Sequence, residues 1–224
     1  MAFIVALDGP AGSGKGTITN LVGKRMNLLN IDTGAMYRCV SLYMIQNDIK
    51  LDEIEKIKDA LEKIKIKLTK ENGVDKFYLN GEDVSEKIRE KPVNDIVSQV
   101  SHIPEVRQAM VKLQREMGEN LDIIMEGRDI GTNVFPNADV KIYLDATPEE
   151  RAMRRLRQNR EKNIECTYED VLANIKYRDN NDRTSDVSPL RQAEDAIYVD
   201  STELTIEEVA QKIIDIIKEK KNNK

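Results

Sequence analysis

The residues best equipped for chemistry are 9–17, Gly9-Pro10-Ala11-Gly12-Ser13-Gly14-Lys15-Gly16-Thr17. They follow the apolar run Phe3-Ile4-Val5-Ala6-Leu7 and precede a stretch of helical periodicity. A strand that runs into a glycine-rich loop and then opens a helix is the context in which such a loop cradles phosphate. Glycines let backbone N–H groups turn inward around an anion, and the positive N-terminal end of the helix adds to the attraction. Lys15 is placed to reach β- and γ-phosphates. The Thr17 hydroxyl is placed to help hold Mg²⁺, partly through water. A turn that binds nothing is the alternative, and the strand-before, helix-after context argues against it.

Cations elsewhere suggest a second anionic substrate. Arg38, Arg128 and Arg178 lie in three separate segments, at or near predicted strand or helix ends. Singly, each reads as a surface arginine. Beside a phosphate loop they read as a set around an acceptor phosphate, since the planar guanidinium binds phosphate oxygens in pairs. Asp182 is a short acid at a helix end, able either to bind ribose hydroxyls or simply to face solvent. Arg151, Arg154, Arg155, Arg157 and Arg160 crowd one helix and would repel one another without partners. That crowding favours a lid over ATP phosphates, with Arg154 and Arg155 as contacts, over an exposed helix or a nucleic-acid patch, which would need interleaved aromatic residues.

The elements that must position these groups follow from periodicity. Residues 15–26 carry Ile18, Leu21, Val22 and Met26 at helical spacing. Leu28–Ile31 is a short strand ending at Asp32, and 35–47 is a helix. Residues 51–62 form a solvent-facing helix, after which Ile64, Ile66 and Leu68 alternate with lysines as a half-buried strand. Asn72-Gly73 and Asn80-Gly81 mark hairpin turns around the strand Lys76–Leu79. Helices are expected at 92–101 and 104–117, strands at 121–125, 140–144 and 196–199, and helices from Pro148, from Thr167 through Arg178, and from Thr205, with the lysine-rich tail from Lys218 frayed. Five buried strands separated by helices predict an α/β fold, a doubly wound five-stranded parallel sheet with helices on both faces. It carries a small antiparallel β insertion at about 63–90 and an arginine-rich helical lid at about 151–167, with core segments 1–62, 91–150 and 185–224. Ligands of such sheets sit at the carboxyl ends of the strands.

The whole chain narrows the choices. At 224 residues with 40% hydrophobic and 33% charged residues, it is a globular protein able to bury a sizeable core. A net charge of −5 gives no general pull toward nucleic acid or anionic membrane. Cys39 and Cys166 are far apart and form no metal-spaced pair, which suits a reducing, cytoplasmic compartment. The N-terminus has neither a basic leader nor a run long enough to span a bilayer. His102 is the only histidine, so the chemistry must come from Lys, Arg, Asp and backbone dipoles.

Four stretches together resemble bacterial cytidylate kinases: Gly9–Thr17, Asp32-Thr-Gly-Ala-Met-Tyr-Arg38, Glu126-Gly-Arg-Asp-Ile-Gly-Thr132 and Arg178-Asp-Asn-Asn-Asp182. Their order and spacing match over essentially the whole chain, and the second and third are the more specific. The resemblance implies ATP as phosphoryl donor, CMP or dCMP as acceptor, and Mg²⁺. It implies that Ser98, Arg107 and Asp129 read cytosine and that Arg38, Arg128 and Arg178 surround the CMP phosphate and sugar. Asp32 and Tyr37 belong to the same acceptor stretch, and Asp182 contacts ribose. Catalysis would rest on Lys15, Arg38, Arg128 and Arg178. Ser185 stands where relatives place a further arginine, with Arg183 nearby to replace it. A monomer is the family default. The alternatives are another small-molecule kinase, such as adenylate or shikimate kinase, or an ATP-binding switch with no acceptor.

Overall fold

The apolar N-terminal run folds as the central strand of the molecule. In the computed structural model, which describes residues 2–71, 74–161 and 163–222, β1 (Ile4–Asp8) leads through the glycine loop into α1 (Lys15–Met26). β2 (Leu29–Asp32), β6 (Ile123–Gly127), β7 (Val140–Asp145) and β8 (Ile197–Asp200) complete a five-stranded sheet in the order β2-β6-β1-β7-β8. β1 pairs in parallel with β6 and with β7, and β7 in parallel with β8. The chain therefore runs to one side of β1 and later to the other, so the glycine loop lies at the reversal point where such sheets bind ligands. The expected doubly wound α/β sheet is present.

Burial is nearly complete along the central strands, as continuous apolar runs require when helices cover them. α1 and the last helix, α8 (Ile206–Asn222), share one core with this sheet, built from Val5, Leu7, Ile18, Val22, Ile142 and Ile213 among others. α8 departs from expectation at its end. It continues to Asn222 rather than fraying from Lys218, because fully buried Ile217 anchors the last turns and Lys221 Nζ rests 4.5 Å from the Phe3 ring centroid. α6 (Pro148–Glu161) and α7 (Tyr168–Arg183) pack through Ala152, Leu156, Val171 and Ile175. α7 runs five residues past the expected end at Arg178, which places Asp182 inside the helix.

The chain packs as two compact units, residues 1–30 with 117–224, and residues 31–116. The second contains α2 (Thr33–Gln46), α3 (Ile54–Lys63), the antiparallel sheet of β3 (Ile66–Glu71), β4 (Val74–Leu79) and β5 (Glu82–Asp83), then α4 (Lys91–Ser101) and most of α5 (Pro104–Gly118). Asn80 and Gly81 both have positive φ, 51° and 90°, as the two-residue β4–β5 turn demands. The expected turn at Asn72-Gly73 lies outside the described residues.

Candidate active site

Backbone conformations that only glycine adopts without strain shape the phosphate loop. Gly12 and Gly14 have φ of 80° and 93°, and a Cβ on Gly9 would stand 2.0 Å from the Leu144 carbonyl oxygen. Gly14 caps α1 without a side-chain acceptor. The N–H groups of the first turn therefore stay available to an anion, where the helix dipole favours negative charge. Lys15 is buried, and its Nζ donates to the Pro10 carbonyl oxygen at 2.7 Å and to Ser13 Oγ at 3.4 Å. Burial, and after it nearby Arg128, lower its pKa to about 7 against the carboxylates of Glu126, Asp182 and Asp8. Thr17 stands exposed on the same first turn.

The end of β6 supplies the next groups. Glu126 is buried beside Gly16 and Thr19, whose hydroxyl donates to Glu126 Oε1 at 3.4 Å. Arg128 Nε donates to Asp182 Oδ2 at 2.7 Å, so two of the expected substrate residues meet each other, and with Lys15 they form one charge cluster. That pairing holds the Arg128 guanidinium: burial works against its charge, and the carboxylates of Asp182, Glu126 and Asp8 together outweigh burial and raise the pKa. Asp129 is buried, accepts from Asn133 Nδ2 at 2.9 Å, and opens a single π-helical turn, Ile130–Val134. Asp8, the last residue of β1, fixes that turn by accepting from the backbone N–H groups of Ile130 and Gly131, each at 2.8 Å. Burial raises the Asp8 pKa to about 6 despite those two hydrogen bonds. Sequence reading passed over Asp8 because it ends a strand like several other acids. Its one signal was an acid set directly between the apolar run and the glycine loop.

The arginine run on α6 divides into two groups. Arg151 is buried and pairs with Asp179 of α7, and Arg154 donates to Glu150 Oε1 at 3.0 Å and to the Ser201 carbonyl oxygen at 2.5 Å. The repulsion expected of the run is relieved by these partners in the protein itself, and Arg151 is a core residue rather than part of a lid face. Arg155 and Arg157 are exposed. Arg178 and Ser185 are half-buried, the first on α7 and the second beyond it.

Within residues 31–116 a second group assembles. Asp32 caps α2 by accepting from Ala35 N at 3.0 Å. A Cβ on Gly34 would lie 3.0 Å from Arg38 Nη1 and 3.1 Å from Asp32 Oδ1, so this glycine leaves room for the arginine beside the cap. Arg38 Nε donates to Asn94 Oδ1 at 3.3 Å, and Asn94 Nδ2 donates to the Arg89 and Glu90 carbonyl oxygens. Asn94 thus orients Arg38. Asn94 gave no sequence signal, because an amide near a helix start ordinarily reads as capping. Ser98, one turn further along α4, is half-buried. Arg107 on α5 is buried with its guanidinium carbon 5.7 Å from the centroid of the buried Tyr37 ring, within cation–π range.

Residues 5–219 match the family model described as cytidylate kinase. The chain is 52% identical over 207 residues to a cytidylate kinase of Fusobacterium nucleatum, covering 92% of this chain and 93% of that protein. It is 49% identical over 212 residues to a cytidylate kinase of Caldicellulosiruptor saccharolyticus, covering 95% and 94%. A solved structure of an uncharacterized protein from Eubacterium ventriosum has a similar fold, with TM-score 0.51 at 10% identity over 96% of this chain and 98% of that one.

Proposed function

The chain belongs to the cytidylate kinase family, and on that premise we propose that it transfers the γ-phosphoryl group of ATP to the phosphate of CMP or dCMP, giving ADP and CDP or dCDP. The observation that carries the proposal is the shared charge cluster of Lys15, from the phosphate loop, and Arg128, from the acceptor set. A module that only bound ATP would need the first and have no use for the second.

The acceptor phosphate is already an anion, so no strong general base is required. Catalysis rests on alignment and on offsetting the charge that spreads over the transferring group. Lys15 supplies one cation at the donor phosphates, and Arg38, Arg128 and Arg178 supply the acceptor side. Among the described residues no group of three or more His, Cys, Asp or Glu side chains is arranged to hold a metal ion. Mg²⁺ fits this site as an ion carried on nucleotide phosphates and water, with the exposed Thr17 hydroxyl as protein ligand. When bound there it offsets phosphate charge. For the base, Asp129 accepts from the cytosine N4 amino group, and Ser98 and Arg107 donate to O2 and N3. Asp32, Tyr37 and Asp182 complete the acceptor set, with Asp182 on the ribose hydroxyls.

Further parts of the proposal are a monomer, the default of the family it resembles, and a cytoplasmic location, which two free cysteines suit. Among the described residues no helix is long and apolar enough to cross a membrane. A coupled assay of ADP release with CMP, dCMP, UMP and AMP tests the function. Turnover with CMP and dCMP, and little with AMP, is expected. A chain that turns over AMP best is an adenylate kinase, and one that turns over none is a switch. In the same assay Asp129→Ala lowers the CMP-to-UMP ratio, and an unchanged ratio removes Asp129 from base reading.

A further inference from the structure

Arg151 makes more contacts than a structural ion pair needs. On α6 its Nη1 and Nη2 engage Asp179 Oδ1 and Oδ2 of α7 at 2.9 and 2.5 Å. Its Nε donates to the Ala146 carbonyl oxygen, just past β7, at 2.9 Å. Nη1 also donates to the carbonyl oxygen of Ala11, inside the phosphate loop, at 3.0 Å. The side chain is 1% exposed. The loop also packs on its stem, because a Cβ on Gly12 would lie 3.4 Å from Arg151 Cβ. One guanidinium fork therefore joins the donor loop, the end of β7 and the helix that carries Arg178 and Asp182.

Satisfying Asp179 needs only two of these donors. The bond to Ala11 has a different consequence. A peptide group has its N–H and C=O pointing in opposite directions, so holding the Ala11 carbonyl toward α6 turns the Gly12 N–H the other way. A phosphate cradle works through the direction of such N–H groups, and freezing them before the nucleotide arrives lowers the ordering cost of binding.

We infer that Arg151, braced by Asp179, is a positioning residue that pre-forms the phosphate loop for the donor nucleotide without touching it. The inference rests on the kinase reading above and adds to it that donor affinity depends on a side chain buried behind the loop. Lysine cannot replace the fork, since one ammonium cannot span the Ala11, Ala146 and Asp179 oxygens in the same planar geometry.

The test uses the full chain with three proteins: wild type, Arg151→Lys, and the double variant Arg151→Met with Asp179→Leu. Replacing a buried ion pair by apolar residues of similar size commonly preserves stability, so the double variant keeps the fold while removing the tether. Steady-state kinetics with ATP and CMP are read alongside calorimetric titration of each protein with a non-hydrolysable ATP analogue, below the melting point found by circular dichroism. In both variants the KM for ATP and the analogue Kd rise about tenfold, the factor that ~1.4 kcal/mol represents, while the KM for CMP stays within about twofold. A purely structural pair predicts instead a lower melting temperature with unchanged donor affinity in whichever variant folds. That result, or a parallel rise in both KM values, overturns the inference, as does failure of both variants to fold. If the wild type itself shows no turnover with CMP yet binds the ATP analogue, the kinase reading fails, and the analogue titration still decides the role of Arg151.

Discussion

At the scale of single residues, Lys15 shows how a site can hold its own charge in check until substrate arrives. The ammonium donates to the Pro10 carbonyl oxygen, and its burial, with Arg128 nearby, brings its pKa down to about 7 from 10.5. Triphosphate oxygens favour the charged form, so the pKa in the ATP complex lies above that of the free protein. Between those two values binding takes up a proton, and apparent ATP affinity falls as pH rises above about 7, by at most tenfold per pH unit. Calorimetry of ATP-analogue binding at pH 8 in buffers of different ionisation enthalpy should show that uptake, and Lys15→Met should abolish it. Proton-free binding by the wild type would mean that Lys15 is already charged. Glycines give a second contrast. Gly9→Ala combines a strained φ with a Cβ 2.0 Å from a carbonyl oxygen and costs at least about 3 kcal/mol in urea unfolding. Gly81→Ala meets nothing within 4 Å and costs only the left-handed backbone penalty, about 1 kcal/mol. The sequence disclosed Lys15 and its glycines because that function sits in a short contiguous motif. It could not disclose Arg151 or Asp8. An arginine among four others reads as part of a phosphate lid, and its burial depends on Asp179, a partner 28 residues away that only the packing of α6 on α7 brings near.

At the scale of elements, termini carry more of the design than interiors. Asp32 ends β2 and caps α2, so the segment that bears Tyr37 and Arg38 is fixed by its first turn. Thr205 and Glu208 form a reciprocal box at the start of α8, with Thr205 N donating to Glu208 Oε2 at 2.8 Å and Glu208 N to Thr205 Oγ1 at 3.2 Å. The pattern was readable from spacing alone, because the hydroxyl and carboxylate must be three residues apart. Thr205→Ala should cost about 1 kcal/mol, measured by urea unfolding, with kinetics unchanged because α8 carries none of the proposed site residues. Elements with no periodic signature were not legible. The π-helical turn Ile130–Val134 exists because Asp8 holds its N–H groups, and β5 is two residues long, too short for alternation to register. Helix ends shifted for a related reason, since tertiary anchors such as Ile217 extend a helix past the point where local composition would end it.

At the scale of the whole molecule, the order β2-β6-β1-β7-β8 sets the glycine loop at the reversal of the sheet, and the remaining chemistry is distributed between two compact units. Lys15, Arg128, Asp129, Arg178 and Asp182 belong to residues 1–30 with 117–224, whereas Asp32, Tyr37, Arg38, Ser98 and Arg107 belong to residues 31–116. The acceptor residues are thus drawn from both units and Lys15 from one, and donor and acceptor binding are separable by linkage, because a ligand that binds the native chain alone raises its stability by RT ln(1 + [L]/Kd), about 2.7 kcal/mol at a hundredfold excess over Kd. Melting curves with the ATP analogue alone and with CMP alone should both shift upward. In Lys15→Ala the shift with the analogue is lost while the shift with CMP remains. In Arg107→Ala, which removes the guanidinium beside Tyr37, the shift with CMP shrinks and the shift with the analogue remains. A substitution at Lys15 or Arg107 that erased both shifts together would show that these two residues do not serve separate substrates, and would overturn the assignment of Lys15 to the donor and Arg107 to the acceptor.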